Sequence, residues 1–197
     1  MQNQEQNTAY MEGSAFKHML KALRLYTKSN AADVKFEMIE LWFQNGGVTG
    51  YACDGYKVIR YFQPCTCTSE FMTYIRSPRL WPYDKDLVAI QDMDEKKATV
   101  SFGEVQFTYK RPIISGDKTI RDLFEKLQKE MDSKEDYRSI FCSNLLLHDV
   151  ATSLVEASQN NARVSITLGP SPINPIRFAS SNAEAFLLPV RPPREES

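Results

Sequence analysis

Two turn signals, Asn45–Gly47 and Asp54–Gly55, cut the stretch from Lys35 to Cys65 into three short runs rich in aromatic and β-branched residues. Asn-Gly and Asp-Gly pairs readily adopt the left-handed backbone that tight hairpin turns need. The runs "KFEMIELWF", "VTGYACD" and "YKVIRYFQPC" are therefore predicted as three antiparallel strands. The rhythm recurs. "FMTYIRS" is a short strand, and "DLVAIQD", "KATVSFG" and "EVQFTYKRP" form a second meander with turns near Asp94-Glu95 and Gly103-Glu104. "YRSIFCS" is a further strand candidate, and "ARVSITL", "PIRF" and "AEAFLLPVR" close the chain as three more.

Helical periodicity appears between these sets. From Ser14, a plausible N-cap, "SAFKHMLKALRLYTKSN" places Phe16, Leu20 and Leu23 on one apolar face. Lys17, Lys21, Arg24 and Lys28 recur on a second, narrow stripe of one sign. "TIRDLFEKLQKEM" is a second helix, with Leu123, Phe124, Leu127 and Met131 apolar and its charges mixed. Asn144 is placed to cap a third, "LLLHDVATSLVEAS". "PRLWPYDKD" carries too much proline for a long helix. The class is α+β, mostly antiparallel, with residues 1–13 expected to be a flexible tail.

Bulk properties bound the function. The chain has 197 residues, 42% hydrophobic and 25% charged, ordinary for a soluble globular protein. A formal net charge of −1 supplies no global attraction to polyanions, so any such binding needs a local basic patch. No run approaches the roughly 18 apolar residues of a membrane span, and the start lacks an apolar signal core. No membrane association and a cytoplasmic location are the expectations. Cys65 and Cys67 form a C-x-C without the spacing of zinc or redox sites. Reduced thiols, no metal and no cofactor are expected.

The repeated helix-plus-three-strands unit hints at an internal repeat, and the closing segment sharpens it. "NARVSITLGPSPINPIRFASSNAEAFLLPVR" resembles the C-terminal strands of the bacterial DNA sliding clamp, the processivity subunit (beta subunit) of DNA polymerase III. Leu188-Pro189-Val190-Arg191 matches the hydrophobic-Pro-hydrophobic-Arg ending of that family. "ACDGYKVI" is similar to its A-T-D-G-H-R-L-A segment, with Tyr56, Lys57 and Val58 in place of His, Arg and Leu. "FGEVQFTYKRP" resembles the strand before the linker to the family's last domain. The pieces span about two-thirds of the chain in the family's order.

The resemblance implies a DNA-clamp fold, antiparallel sheets with helices packed on one face, and a ring around duplex DNA. It assigns Lys17, Lys21, Arg24 and Lys28 to sequence-independent phosphate contacts. An exposed helix face that merely needs solvation explains the same stripe. The resemblance also implies a hydrophobic cleft for polymerase or clamp-loader peptides, with Tyr56 and Val58 on one wall and Phe186, Leu188, Pro189 and Val190 on the other. Ordinary core or edge positions explain these residues somewhat better, and Tyr56, larger than the family's His, would narrow or fill such a cleft.

Clamp chains of the family have three domains, and this length has room for two at most. One division makes residues 14–114 a clamp-like domain and 115–197 an abbreviated second, so that a trimer closes the ring. The other makes one clamp domain with an insertion at about 65–136. An enzyme is not expected: there is no nucleophile elbow, glycine-rich phosphate loop or H-E-x-x-H, and glycine totals only 8 residues. Cys142 with His148 is the remaining nucleophile-base pair, and Asp92, Asp94 and Glu95 are read as solvated loop carboxylates. Two functions remain: a processivity or scaffold factor on DNA, or a clamp-derived interaction module without DNA binding, of phage or mobile-element type.

Overall fold

The turn signals are used as expected. In the computed structural model, which describes residues 7–94, 97–112, 119–132, 144–158, 164–169, 171 and 173–189, the chain forms strands β1 (Asn7–Glu12), β2 (Ile39–Gln44), β3 (Gly47–Cys53), β4 (Lys57–Pro64), β5 (Thr66–Cys67) and β6 (Phe71–Ile75). There follow β7 (Leu87–Asp94), β8 (Lys97–Phe102), β9 (Val105–Lys110), β10 (Ser165–Leu168), β11 (Ile176–Ala179) and β12 (Ala183–Leu187). The helices are α1 (Gly13–Arg24), α2 (Ile120–Asp132) and α3 (Asn144–Ser158). Gly46 (φ 92°) turns β2 into β3, Gly55 (φ 94°) turns β3 into β4, and Gly103 (φ 53°) turns β8 into β9.

Two antiparallel sheets result. One has five strands in the order β5-β1-β7-β8-β9, the other seven in the order β10-β11-β12-β4-β3-β2-β6. The sets exchange strands: β1, which leads into the first set, pairs with β7, while β6 pairs with β2. The C-terminal strands join the larger sheet through β12, which lies along β4 with Phe186 opposite Val58. The main core draws on both sheets and α1, with Met19, Leu20 and Leu23 of the helix clustered with Leu41, Ile59 and Tyr61. Helix and sheet meet closely at Gly50, where an added Cβ would stand 2.5 Å from Leu23 Cδ1.

Several expectations are corrected. Residues 7–12, placed in a flexible tail, form β1: Ala9 and Met11 alternate inward and complete the core beside Val88 and Ile90. The run "KFEMIELWF" starts its strand only at Ile39, because the Asp33 side chain accepts the Lys35 amide and winds Val34–Glu37 into a short 3-10 turn. Helix α1 ends at Arg24 rather than reaching Lys28, as the Tyr26 and Thr27 amides fold back onto the Leu23 and Arg24 carbonyls. Ser14 is not its cap. The proline-bearing connection before β7 caps α1 instead, its Asp86 and Asp84 carbonyls accepting the amides of Gly13 (2.8 Å) and Ser14 (3.1 Å). Gly13 is obligatory there, since an added Cβ would lie 1.9 Å from the Tyr83 carbonyl oxygen. The candidate strand "YRSIFCS" lies outside the described residues, as does the Glu95 turn position.

The α+β clamp architecture holds, and one helix adds to it. Alternation along β3 and β4 turns Ala52 and Ile59 toward α1 but Tyr51, Cys53 and Val58 toward α2. The second helix thus lies on the face of the seven-stranded sheet opposite the main core.

Candidate functional site

The Asp-Gly turn is built by its own side chain. Asp54 Oδ1 accepts the amides of Tyr56 (2.9 Å) and Lys57 (3.0 Å), closing the turn around Gly55. The pleat then sends Lys57 to one face and Val58 to the other. Tyr56 stands out at the tip, 58% exposed, and its carbonyl accepts the Leu188 amide at 3.0 Å. The end of the last strand is therefore pinned to the turn. This brings Val58 and Phe186 face to face, 1% and 0% exposed, with Leu188 packed at their edge and Pro189 half-buried beyond. Val190 lies outside the described residues.

What buries Val58 and Phe186 is α2. Its residues Ile120, Phe124, Leu127 and Met131 recur at helical spacing and share one small core with Tyr51, Cys53, Val58 and Phe186. The Phe124 ring meets Phe186 edge-on at 4.8 Å and Tyr51 at 5.8 Å. Area considerations give each such buried side chain about 1.5–3 kcal/mol. The Cys53 thiol, buried beneath the helix, is pushed up to about 11 by desolvation.

Polar groups fix the helix at both ends. Thr119 and Asp122 form a reciprocal cap: Thr119 Oγ1 accepts the Asp122 amide (3.1 Å), and Asp122 Oδ2 accepts the Thr119 amide (2.8 Å). The Thr119 amide and hydroxyl, both donating to Asp122 Oδ2, hold the Asp122 carboxyl below its ordinary value. Glu40, fully buried in β2, accepts the amides of Ile120 (2.9 Å) and Arg121 (3.3 Å), the Tyr74 hydroxyl and the Trp42 indole N–H. Burial raises its carboxyl and the four donors oppose the rise. Arg121 lies 4.6 Å over Trp42 and Arg60 5.0 Å over Phe124. At the C-terminal end Asp132 pairs with Arg177 at 3.4 Å, and Arg177 and Arg60 share the buried Glu184. Beside the N-terminal end a pocket of about 400 Å³ stays open, lined by Phe36, Ile120 and Leu123 with Lys35, Lys126, Thr119 and Asp122.

The basic stripe is only partly a stripe. Lys17, Lys21 and Arg24 share an α1 face, whereas Lys28 lies past the helix end, 5.8 Å over the Tyr56 ring. Lys17 pairs with Asp84, Lys21 approaches Glu156 at 3.9 Å, and Arg24 lies 5.7 Å over Trp81. Helix α3 packs beside α1, and its exposed positions Leu145, Leu147, His148, Ala151 and Val155 include no Lys or Arg. Its Asp149 instead pairs with Lys57, which is 2% exposed and lies 5.1 Å over the Tyr26 ring.

The remaining candidate groups are scattered. His148 is exposed on α3, while Cys142 lies outside the described residues. Asp92 pairs with Arg111. Among the described residues no cluster of metal-ligating side chains occurs, and no helix is long and apolar enough to cross a membrane. Sequence reasoning missed Glu40 and α2 as parts of the site. Their signal was a carboxylate inside the apolar run "MIELWF", which a buried strand tolerates only with donors supplied from elsewhere.

Exchanged antiparallel strand sets with helices packed against them define the architecture of the DNA sliding clamps. The resemblance extends over nearly the whole chain in solved structures. A DnaN sliding clamp (DNA polymerase III subunit beta) from Bartonella birtlesii, solved bound to griselimycin, superposes with a TM-score of 0.71 at 10% identity, covering 98% of this chain and 67% of that one. The beta subunit from DNA polymerase of Streptococcus pyogenes gives 0.63 at 12% identity, covering 96% of this chain and 66% of that chain. A. fulgidus PCNA, solved with the C-terminal region of FEN-1, gives 0.57 at 15% identity, covering 95% of this chain and 100% of that one. At these identities the fold is what is shared; the chain spans about two-thirds of the bacterial subunits. No protein-family model and no curated protein matches the sequence.

Proposed function

We propose that this chain is a non-catalytic, clamp-like scaffold that contacts duplex DNA through α1 and holds polymerase-type or loader-type peptides on the sheet face bearing Val58, Phe186 and Leu188. The superposition of nearly the entire chain on sliding clamps carries this reading. Lys17, Lys21 and Arg24 share one helix face and supply phosphate contacts without base readout, the requirement for sliding. Leu188 and Pro189 continue the last strand to the rim of the apolar face, beside the Tyr56 turn. Division at 14–114, with β1 joined to it, and 115–197 gives two units held together by the pairing of β4 with β12, so three copies complete a six-unit ring.

Light scattering during size exclusion tests the ring. A mass of three times 22.6 kDa is expected, and a strict monomer overturns ring closure. Retention on circular duplex DNA, abolished by linearisation, tests the DNA role. Replacing Lys17, Lys21 and Arg24 by Ala should lower retention and reduce the salt slope by about one for each phosphate no longer neutralised.

One observation favours a second reading, an interaction module without DNA binding. Two of the three α1 cations face carboxylates, and α3 beside them exposes apolar side chains. Unchanged DNA retention in the triple variant, with peptide binding intact, selects that reading.

A further inference from the structure

We infer that α2 is the chain's own occupant of the peptide face, a tethered internal ligand that an incoming peptide must displace. The inference rests on the proposed peptide site and concerns its regulation. Val58 and Phe186, the facing residues of the two cleft walls, are closed off from solvent by a helix of the same chain. The helix sits as a bound amphipathic peptide would. Ile120, Phe124, Leu127 and Met131 enter the apolar face at i, i+4, i+7 and i+11, and the outward positions Lys126, Lys129 and Glu130 are charged.

The edges of the contact are polar. At one end Glu40 accepts the first helical amides, and at the other Asp132 meets Arg177 at the surface. Helix α2 buries one face against the sheet and turns the other, with Asp122, Lys126 and Lys129, to solvent. The pocket of about 400 Å³ beside its first turn extends the same apolar surface through Phe36, Ile120 and Leu123. Its polar lining is mixed in charge, with Lys35 and Lys126 beside Asp122. That pocket is the foothold from which displacement starts, and its Phe36 and Leu123 side chains favour a peptide with large apolar residues. Because the face is free only while α2 is released, apparent affinity is lowered by that fraction.

The test uses the full chain and a fluorescein-labelled peptide of its own residues 119–132, followed by anisotropy. Phe124→Ala with Leu127→Ala strips the anchors from the resident helix and leaves the sheet face intact. The labelled peptide should bind this chain at least about tenfold more tightly than the parent, and Val58→Glu should abolish binding to both. Equal affinity for parent and opened chain, still abolished by Val58→Glu, overturns the internal-ligand inference and leaves the peptide face standing. No binding to the opened chain overturns both.

Thr119→Ala with Asp122→Ala loosens the cap without touching the core and should give a smaller gain of the same sign. Hydrogen exchange on the unmodified chain gives an independent reading. Amides of 120–132 should exchange faster than those of β3 and β4, and faster still with excess unlabelled peptide. Exchange of α2 as slow as that of β3 and β4 under both conditions overturns the inference.

Discussion

Glu40 occupies a largely apolar strand because four donors reach its buried carboxylate. Both of its oxygens accept, so an amide in its place would turn an N–H₂ toward N–H or O–H groups. Glu40→Gln should lower stability by about 1–3 kcal/mol in urea unfolding, and a change under about 0.5 kcal/mol would contradict the account. Lys57 presents the opposite charge in an equivalent position. It reaches across the main core to Asp149 and lies near Asp54 at 3.9 Å, tying the Asp-Gly turn to α3. A double-mutant cycle with Lys57→Met and Asp149→Leu should return a coupling of about 0.5–3 kcal/mol, the double variant losing less than the singles together. Both residues show what a sequence hides. Each was visible as a charge in an apolar run, but its partner lies in a segment far along the chain.

At the level of elements, α2 should respond to acid. The Asp122 carboxyl is held low by the Thr119 amide and hydroxyl, so its contribution is present above the ordinary value near 3.9 and fades as pH falls through its depressed folded value. Glu40 has the other sign. Burial raises its carboxyl, so its contribution is fullest below about 4.3 and declines as pH rises through the raised value. Trp42, stacked under Arg121, reports on the helix. In a Trp81→Phe chain its fluorescence should shift as pH drops below about 4, and Asp122→Asn should remove that limb alone. A limb unchanged by Asp122→Asn would show that the cap is not its origin. The periodicity of α2 was plain from Leu123, Phe124, Leu127 and Met131, yet its seat was not. An amphipathic pattern shows that a face is buried and is silent on what buries it. Strand β1 escaped notice for a related reason: six residues with two inward side chains make no pattern until β7 supplies the partner.

For the molecule as a whole, the strand rhythm was the legible part. Turn glycines and alternation delimit most strands within a residue or two, and the facing of Val58 and Phe186 follows from the Asp-Gly turn and the terminal strand. The proline-rich connection through Pro78 and Pro82 was legible as a break in helix; less legible was its use of the Asp84 and Asp86 carbonyls to cap α1. The pairing of β12 with β4 has a consequence for how the chain is made. Residues 183–187 leave the ribosome long after residues 57–64, and one edge of β4 has no neighbour until they do. A nascent chain therefore carries an unpaired apolar edge in the middle of its main sheet, the kind of template that invites wrong partners. Completion of this sheet is therefore a late event in synthesis.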